Sequence, residues 1–189
     1  MEFRLTYRGP LKSKSSTTKE QTQKLRRHFH QQLAVLWDSA ALVEARKYVD
    51  ATRSTESGEI NLIQSVGAFQ FALIASQAHG WNTVAELEII FLRPSESCEL
   101  IQHGGDLDNR VKTLLDGLRT PSVNEIPSGD RPASGETPFF CPLQDDALVT
   151  DLAIRTDRLL TPATNNEVEL IIRTRIRATR KSMGSDMVW

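Results

Sequence analysis

The stretch that most restricts how this chain can fold is "NEVELIIRTRIRA", residues 166–178. Successive side chains of a strand point to opposite faces, so Val168, Leu170, Ile172, Thr174 and Ile176 share one face. Glu169, Ile171, Arg173, Arg175 and Arg177 share the other. The pattern predicts a sheet with a core on one side and a row of arginines on the opposite side.

The rest of the chain supplies partners for that strand. "FRLTY" at Phe3 to Tyr7 alternates as a strand does, and the polar "KSKSSTTK" after it reads as a mobile loop without an apolar anchor. Leu25, Phe29, Leu33 and Leu36 recur at helical spacing between Thr18 and Trp37, with Thr17 or Thr18 as cap and a basic outer face. Ala40 to Asp50 suggests a second short helix, and "TRSTESGE" a loop. Ala68 to Ser76 and Thr83 to Leu92 flank the turn-like "QAHGWN" and read as a hairpin. A helix follows from about Leu107 to Arg119, and "DDALVTDLAIRT" forms another strand. Between them, Thr120 to Leu143 carries five prolines and reads as too broken for a packed element, hence a functional flap or a tolerated insertion. The order β, α, β, β, α, β, β predicts an α+β fold. We expect a single domain over residues 1–189, its mixed or antiparallel sheet packed by helices, with the Pro-rich insertion at 120–143.

Composition excludes several classes. Hydrophobic residues at 39% and charged residues at 25% suit a globular chain and exclude wholesale disorder. No run approaches the roughly 20 apolar residues of a membrane-spanning helix. The opening "MEFRLTYRGP" lacks an apolar signal core, so the expected location is cytoplasmic, where Cys98 and Cys141 would stay thiols. The net charge of −1 hides a polarised distribution. Bases gather before Gln31 and again from Arg173 to Lys181, whereas acids gather between Asp106 and Asp157.

Chemistry is concentrated in "HGGDLDNRVKTLLDGLR", His103 to Arg119. Leu107, Val111, Leu114, Leu115 and Leu118 form the buried face of this helix, while Asp108, Lys112 and Asp116 form a separate stripe. Capping explains the first acids adequately: Asp106 or Asp108 caps, and Asp108 with Lys112 makes an i,i+4 ion pair. It does not account for adjacent Asp145 and Asp146 at the head of a strand, which repel one another if buried unless a cation offsets them. Carboxylates at a helix start and a strand start suit a hard divalent ion, and a nearby lysine suits a phosphoryl transition state.

"DLDNRVKTLLDGL" followed by "DDALV" resembles the RusA-type Holliday-junction resolvases, small homodimeric magnesium-dependent endodeoxyribonucleases. The shared pattern is Asp-x-Asp-Asn, a lysine three residues on, Asp-x-Leu closing the helix, then an Asp-Asp pair opening a strand. The resemblance extends over about Thr83 to Arg177, although the family's loop between helix and Asp-Asp is short. It implies Asp106, Asp108 and Asp146 as metal-binding, catalytic carboxylates, Lys112 as the catalytic lysine and Asp145 as a supporting acid or further ligand. Asn109 would orient Asp106 or hold the turn, and Asp116 weighs toward structure.

The expected function is therefore cleavage of four-way DNA junctions in recombination and repair by a homodimer using magnesium or manganese. Lys12, Lys14, Lys24, Arg26, Arg27, Arg173, Arg175 and Arg177 are candidate phosphate contacts, each also readable as part of a solvated face. Phe139 and Phe140 would wedge into a junction or anchor their segment, anchoring being the commoner use. Two other classes stay open: an inactive nucleic-acid-binding relative, and another metal-dependent phosphoesterase.

Overall fold

A computed structural model of the chain describes residues 1–50, 59–94, 105–161 and 167–179, the side chains of residues 105 and 106 excepted. It contains seven described strands: β1 (Glu2–Pro10), β2 (Ile63–Val66), β3 (Phe69–Ala75), β4 (Thr83–Arg93), β5 (Phe139–Leu143), β6 (Val149–Arg158) and β7 (Glu167–Ala178). Two described α-helices accompany them, α1 (Lys19–Trp37) and α2 (Gly105–Leu118). The strands form two mixed sheets, ordered β1-β7-β4-β6 and β2-β3-β5. β7 runs antiparallel to both β1 and β4, while β4 and β6 are parallel.

β7 behaves as its alternation predicts: Val168, Leu170, Ile172, Thr174 and Ile176 are all buried. Val168, Leu170, Ile172 and Ile176 join Leu5, Leu87, Ile89 and Phe91 from neighbouring strands with Leu25, Phe29 and Leu33 of α1 and Leu114 and Leu118 of α2 in one core. α1 starts at a capping box in which the Thr18 hydroxyl accepts from the Gln21 amide and the Gln21 side chain accepts from the Thr18 amide. The two helices meet at Gly117, where a Cβ would lie 2.6 Å from a Leu25 methyl. Glycine is what permits that approach.

The expected hairpin of Ala68–Ser76 with Thr83–Leu92 does not form. β3 and β4 lie in different sheets, joined only at their base, where Thr83 Oγ1 donates to Ile74 O and accepts from the Ser76 amide. β4 is already paired on both sides, by β7 and β6, so no edge is open to β3. The hairpin partner of β3 is instead β2, reached through a two-residue turn with Gly67 at φ 59°. β3 is buried on both faces: Ala72 and Ile74 enter the main core, while Phe69, Phe71 and Leu73 enter a second cluster with Phe139 and Cys141.

The Pro-rich segment also differs from expectation, because its end forms β5, parallel to β3. Ile126 packs against the second cluster, so part of the segment covers the three-stranded sheet. Arg27 of α1 fastens it through Asp130 (2.8 Å), Glu136 (2.9 Å) and the carbonyl of Arg131. Phe139 and Phe140 anchor it, both stacking on His30. Between Ala40 and Asp50 the chain makes a 3₁₀ helix, Val43–Tyr48, instead of an α-helix. "TRSTESGE", apart from its last residue, lies outside the described residues.

Candidate functional site

On α2, Val111, Leu114 and Leu118 are buried and direct the helix against the core. The polar stripe beside them changes character along its length. Lys112 Nζ donates to Asp108 Oδ2 at 2.7 Å, and both side chains remain more than half exposed. This is the i,i+4 pair of the capping argument, open to solvent.

Two turns on, the Asp116 side chain is only 10% exposed, held by Lys14 and by Arg119 at 2.6 Å. Arg119 in turn grips Glu125 at 2.7 Å and 3.0 Å. Burial works against ionisation of Glu125, but hydrogen bonds from Arg119 and the Ser122 amide hold its carboxyl down at about 2. Asp116 is thus built into an ion-pair network, in keeping with its expected structural weight. Arg119 and Glu125 were not singled out from sequence, although Ser122-x-x-Glu125 is a visible capping-box signature.

Asp145 and Asp146 are both exposed, so the like-charge cost invoked for a buried pair does not arise. Asp145 caps the 3₁₀ turn Asp146–Leu148, its carboxylate accepting from the Ala147 amide at 2.8 Å. Capping therefore does explain one of the two. Asp146 heads the turn, which lies against α2, so the fold brings the elements bearing Asp108, Lys112 and Asp146 together. The side chain of Asp106 and the whole of His103 lie outside the described residues. Asn109 presents its carbonyl to the Thr113 hydroxyl at 3.2 Å. Among the described residues no three His, Cys, Asp or Glu side chains converge as a metal-holding group.

The basic candidates divide into three groups. Lys12 and Lys24 line a shallow pocket of about 190 Å³ between the end of β1, α1 and α2, with Tyr7, Thr17 and Thr113. Lys14 is bound to Asp116, and the expected mobile loop around it is tied down by hydroxyl bonds such as Thr17 to the Ser13 carbonyl at 2.9 Å. Arg26 and Arg27 do not form an outer face. Arg26 is 2% exposed, donating to Gln23 at 3.1 Å, and Arg27 holds the Pro-rich segment, because both turn toward the packed side of α1.

The arginine row does lie on the outward face of the four-stranded sheet, but its charge is matched. Arg173 pairs with Glu2 and Glu88, Arg175 with Glu2 and Glu86, and Arg177 with Glu86. "ELE" at residues 86–88 carried this signal, since its two glutamates share a face of β4.

No family model, no curated protein and no solved structure matches this chain. Among the described residues no helix is long and apolar enough to cross a membrane.

Proposed function

We propose that the chain is a metal-dependent endodeoxyribonuclease acting on branched DNA, with the four-way junction as substrate. The observation that carries this reading is the exposed Asp108–Lys112 pair on α2, with the turn bearing exposed Asp146 packed against the same helix. An ion pair left in solvent contributes little to stability, so folding makes little demand on either side chain and both are free to engage a ligand.

The donor set is all carboxylate, which fits magnesium or manganese: magnesium keeps several waters beside one or two carboxylates. Asp108 and Asp146, with Asp106 preceding them on α2, are the residues that would hold the ion, and Asp145 steadies the turn beneath Asp146. When bound, the ion supplies an activated water and charge stabilisation at the phosphate. Lys112 adds a positive charge to the scissile phosphate once its partner Asp108 is engaged elsewhere. Lys12 and Lys24, which line the pocket beside α2, would meet the DNA backbone in place of Arg26 and Arg27. A two-fold homodimer in the cytoplasm, serving recombination and repair, matches a substrate with two strands to cut.

The test is cleavage of a labelled synthetic four-way junction beside a matched linear duplex, with magnesium, with chelator and with Asp108→Asn. Paired symmetric nicks on the junction, abolished by chelator and by the substitution, are expected. Junction binding without cutting under either metal would overturn the nuclease reading in favour of a recognition protein. Faster hydrolysis of small phosphodiesters than of the junction would reassign the substrate.

A further inference from the structure

β6 closes one end of the four-stranded sheet, and among the described residues nothing pairs with its outer edge. Its ten residues contain neither proline nor lysine, two common guards of an exposed edge, and its four charged residues are of both signs, two acids and two arginines. The irregularity in its pairing with β4 falls at Ala85/Glu86, before Asp151, so the strand is regular from Asp151 onward. Leu152, on the same face as the core residue Leu87, is 39% exposed at this edge. On the opposite face Asp151 has no counter-charge among the described residues, while Arg155, 3.1 Å from Glu88, keeps three-quarters of its side chain in solvent.

We propose that two copies of this chain join edge to edge through antiparallel pairing of β6 on β6, centred on Ala153, making one continuous eight-stranded sheet. A two-fold axis perpendicular to the sheet places residues of the same face opposite one another, which leaves few registers to compare. Centring on Ala153 sets Asp151 opposite the second copy's Arg155, twice by symmetry. It also sets Leu152 opposite Ile154 and Thr150 opposite Thr156. Opposite charges, apolar pairs and threonine pairs are the favourable cross-strand combinations.

The neighbouring registers lack this match. Centring on Ile154 opposes Asp151 to Asp157, centring on Asp151 or on Arg155 opposes each to itself, centring on Leu152 opposes no unlike charges, and centring on Thr156 opposes Arg155 to Asp157 but pairs only residues 154–158 of the strand. Asp151 thereby gains the partner it lacks among the described residues, and Leu152 is covered. This assembly stands on the edge strand alone, so it holds whether or not the carboxylate site cuts DNA.

The experiment is sedimentation of the full chain and three samples: Asp151→Arg, Arg155→Asp and an equimolar mixture of the two. The wild type is expected to be dimeric and each single variant monomeric, with dimers restored in the mixture because both contacts are again between opposite charges. Asp151 is exposed, so a wild-type far-ultraviolet circular dichroism spectrum with cooperative unfolding in Asp151→Arg separates lost assembly from lost folding. In a Cys98→Ser background, Ala153→Cys should be captured as dimer by a short bifunctional maleimide and Asp157→Cys should not. A monomeric wild type, or a dimer indifferent to both charge reversals and not captured at position 153, overturns the proposal.

Discussion

The Lys112 ammonium lies 2.7 Å from the Asp108 carboxylate one turn earlier on α2, with both side chains in solvent, while Asp116, two turns beyond Asp108 on the same stripe, is nearly enclosed. One stripe of a helix thus carries two kinds of acid. The distinction makes their substitutions separable.

Lys112→Ala removes an exposed i,i+4 pair and should change stability by no more than about 0.5 kcal/mol. If Lys112 serves the scissile phosphate, the same variant loses about 100-fold or more in junction cleavage. Urea denaturation beside single-turnover cleavage reads both quantities, and activity within a few-fold of wild type removes the lysine from the site.

Asp116→Ala has the opposite signature. It strips the anion from between Lys14 and Arg119, leaving their charges around a mostly buried position, at a cost of about 3 kcal/mol. The urea midpoint should fall markedly, and a shift as small as that of Lys112→Ala would contradict the network described.

Gly117→Ala introduces a Cβ against Leu25 at the crossing of α1 and α2. Overpacking of this kind costs about 1–3 kcal/mol, more than the helix-propensity gain of about 1 kcal/mol returns. In a Leu25→Ala background the penalty should vanish, which a double-mutant cycle measures.

The acid side of the stability profile follows from His30 and Glu125. Burial pushes the His30 imidazole below its ordinary value, and its Nδ1 accepts the Phe140 amide at 2.9 Å, an interaction a second ring proton would break. A depressed folded value means stability is full above the unfolded histidine value near 6.5 and declines as pH falls through the folded one. Glu125, depressed to about 2, adds a further loss between its unfolded value of about 4.5 and about 2. Denaturation midpoints followed from about pH 8 downward should show the first decline in wild type and not in His30→Asn.

Arg27→Ala should release the Pro-rich segment without unfolding the sheets, since its partners Asp130, Arg131 and Glu136 all lie there. Faster amide exchange confined to residues 127–136 is the expected readout, with β3 and β7 unchanged.

Legibility from sequence followed the strength of periodicity. β7 could be read residue by residue, and α1 in its apolar stripe of Leu25, Phe29 and Leu33, because one buried face and one wet face leave a clear period. β3 could be read as a strand but not assigned a partner, since "FALIA" is apolar on both sides and does not reveal which edge meets what. β5 was hidden among prolines, although Pro142 sits at the end of an edge strand, where a missing amide is tolerated. At the site, the i,i+4 relation of Asp108 and Lys112 was visible in spacing alone. The capping role of Asp145 and the inward turn of Arg26 were not, because both depend on how the turn and helix settle against neighbours distant in sequence.

β1 is paired with β7 along its whole length, from Glu2 opposite Arg175 to Pro10 opposite Glu167, with the Met1 ammonium on the Ile176 carbonyl. Of the described elements β1 leaves the ribosome first and β7 last. The three-stranded sheet and both helices are complete once Leu143 has emerged, yet β1 must wait through the synthesis of every other element before its partner exists. So long a closure is a slow step in folding. Until β7 arrives, the nascent chain can hold β1 only through α1, by contacts such as those between Thr6 and Gln32, with one side of the strand still unpaired.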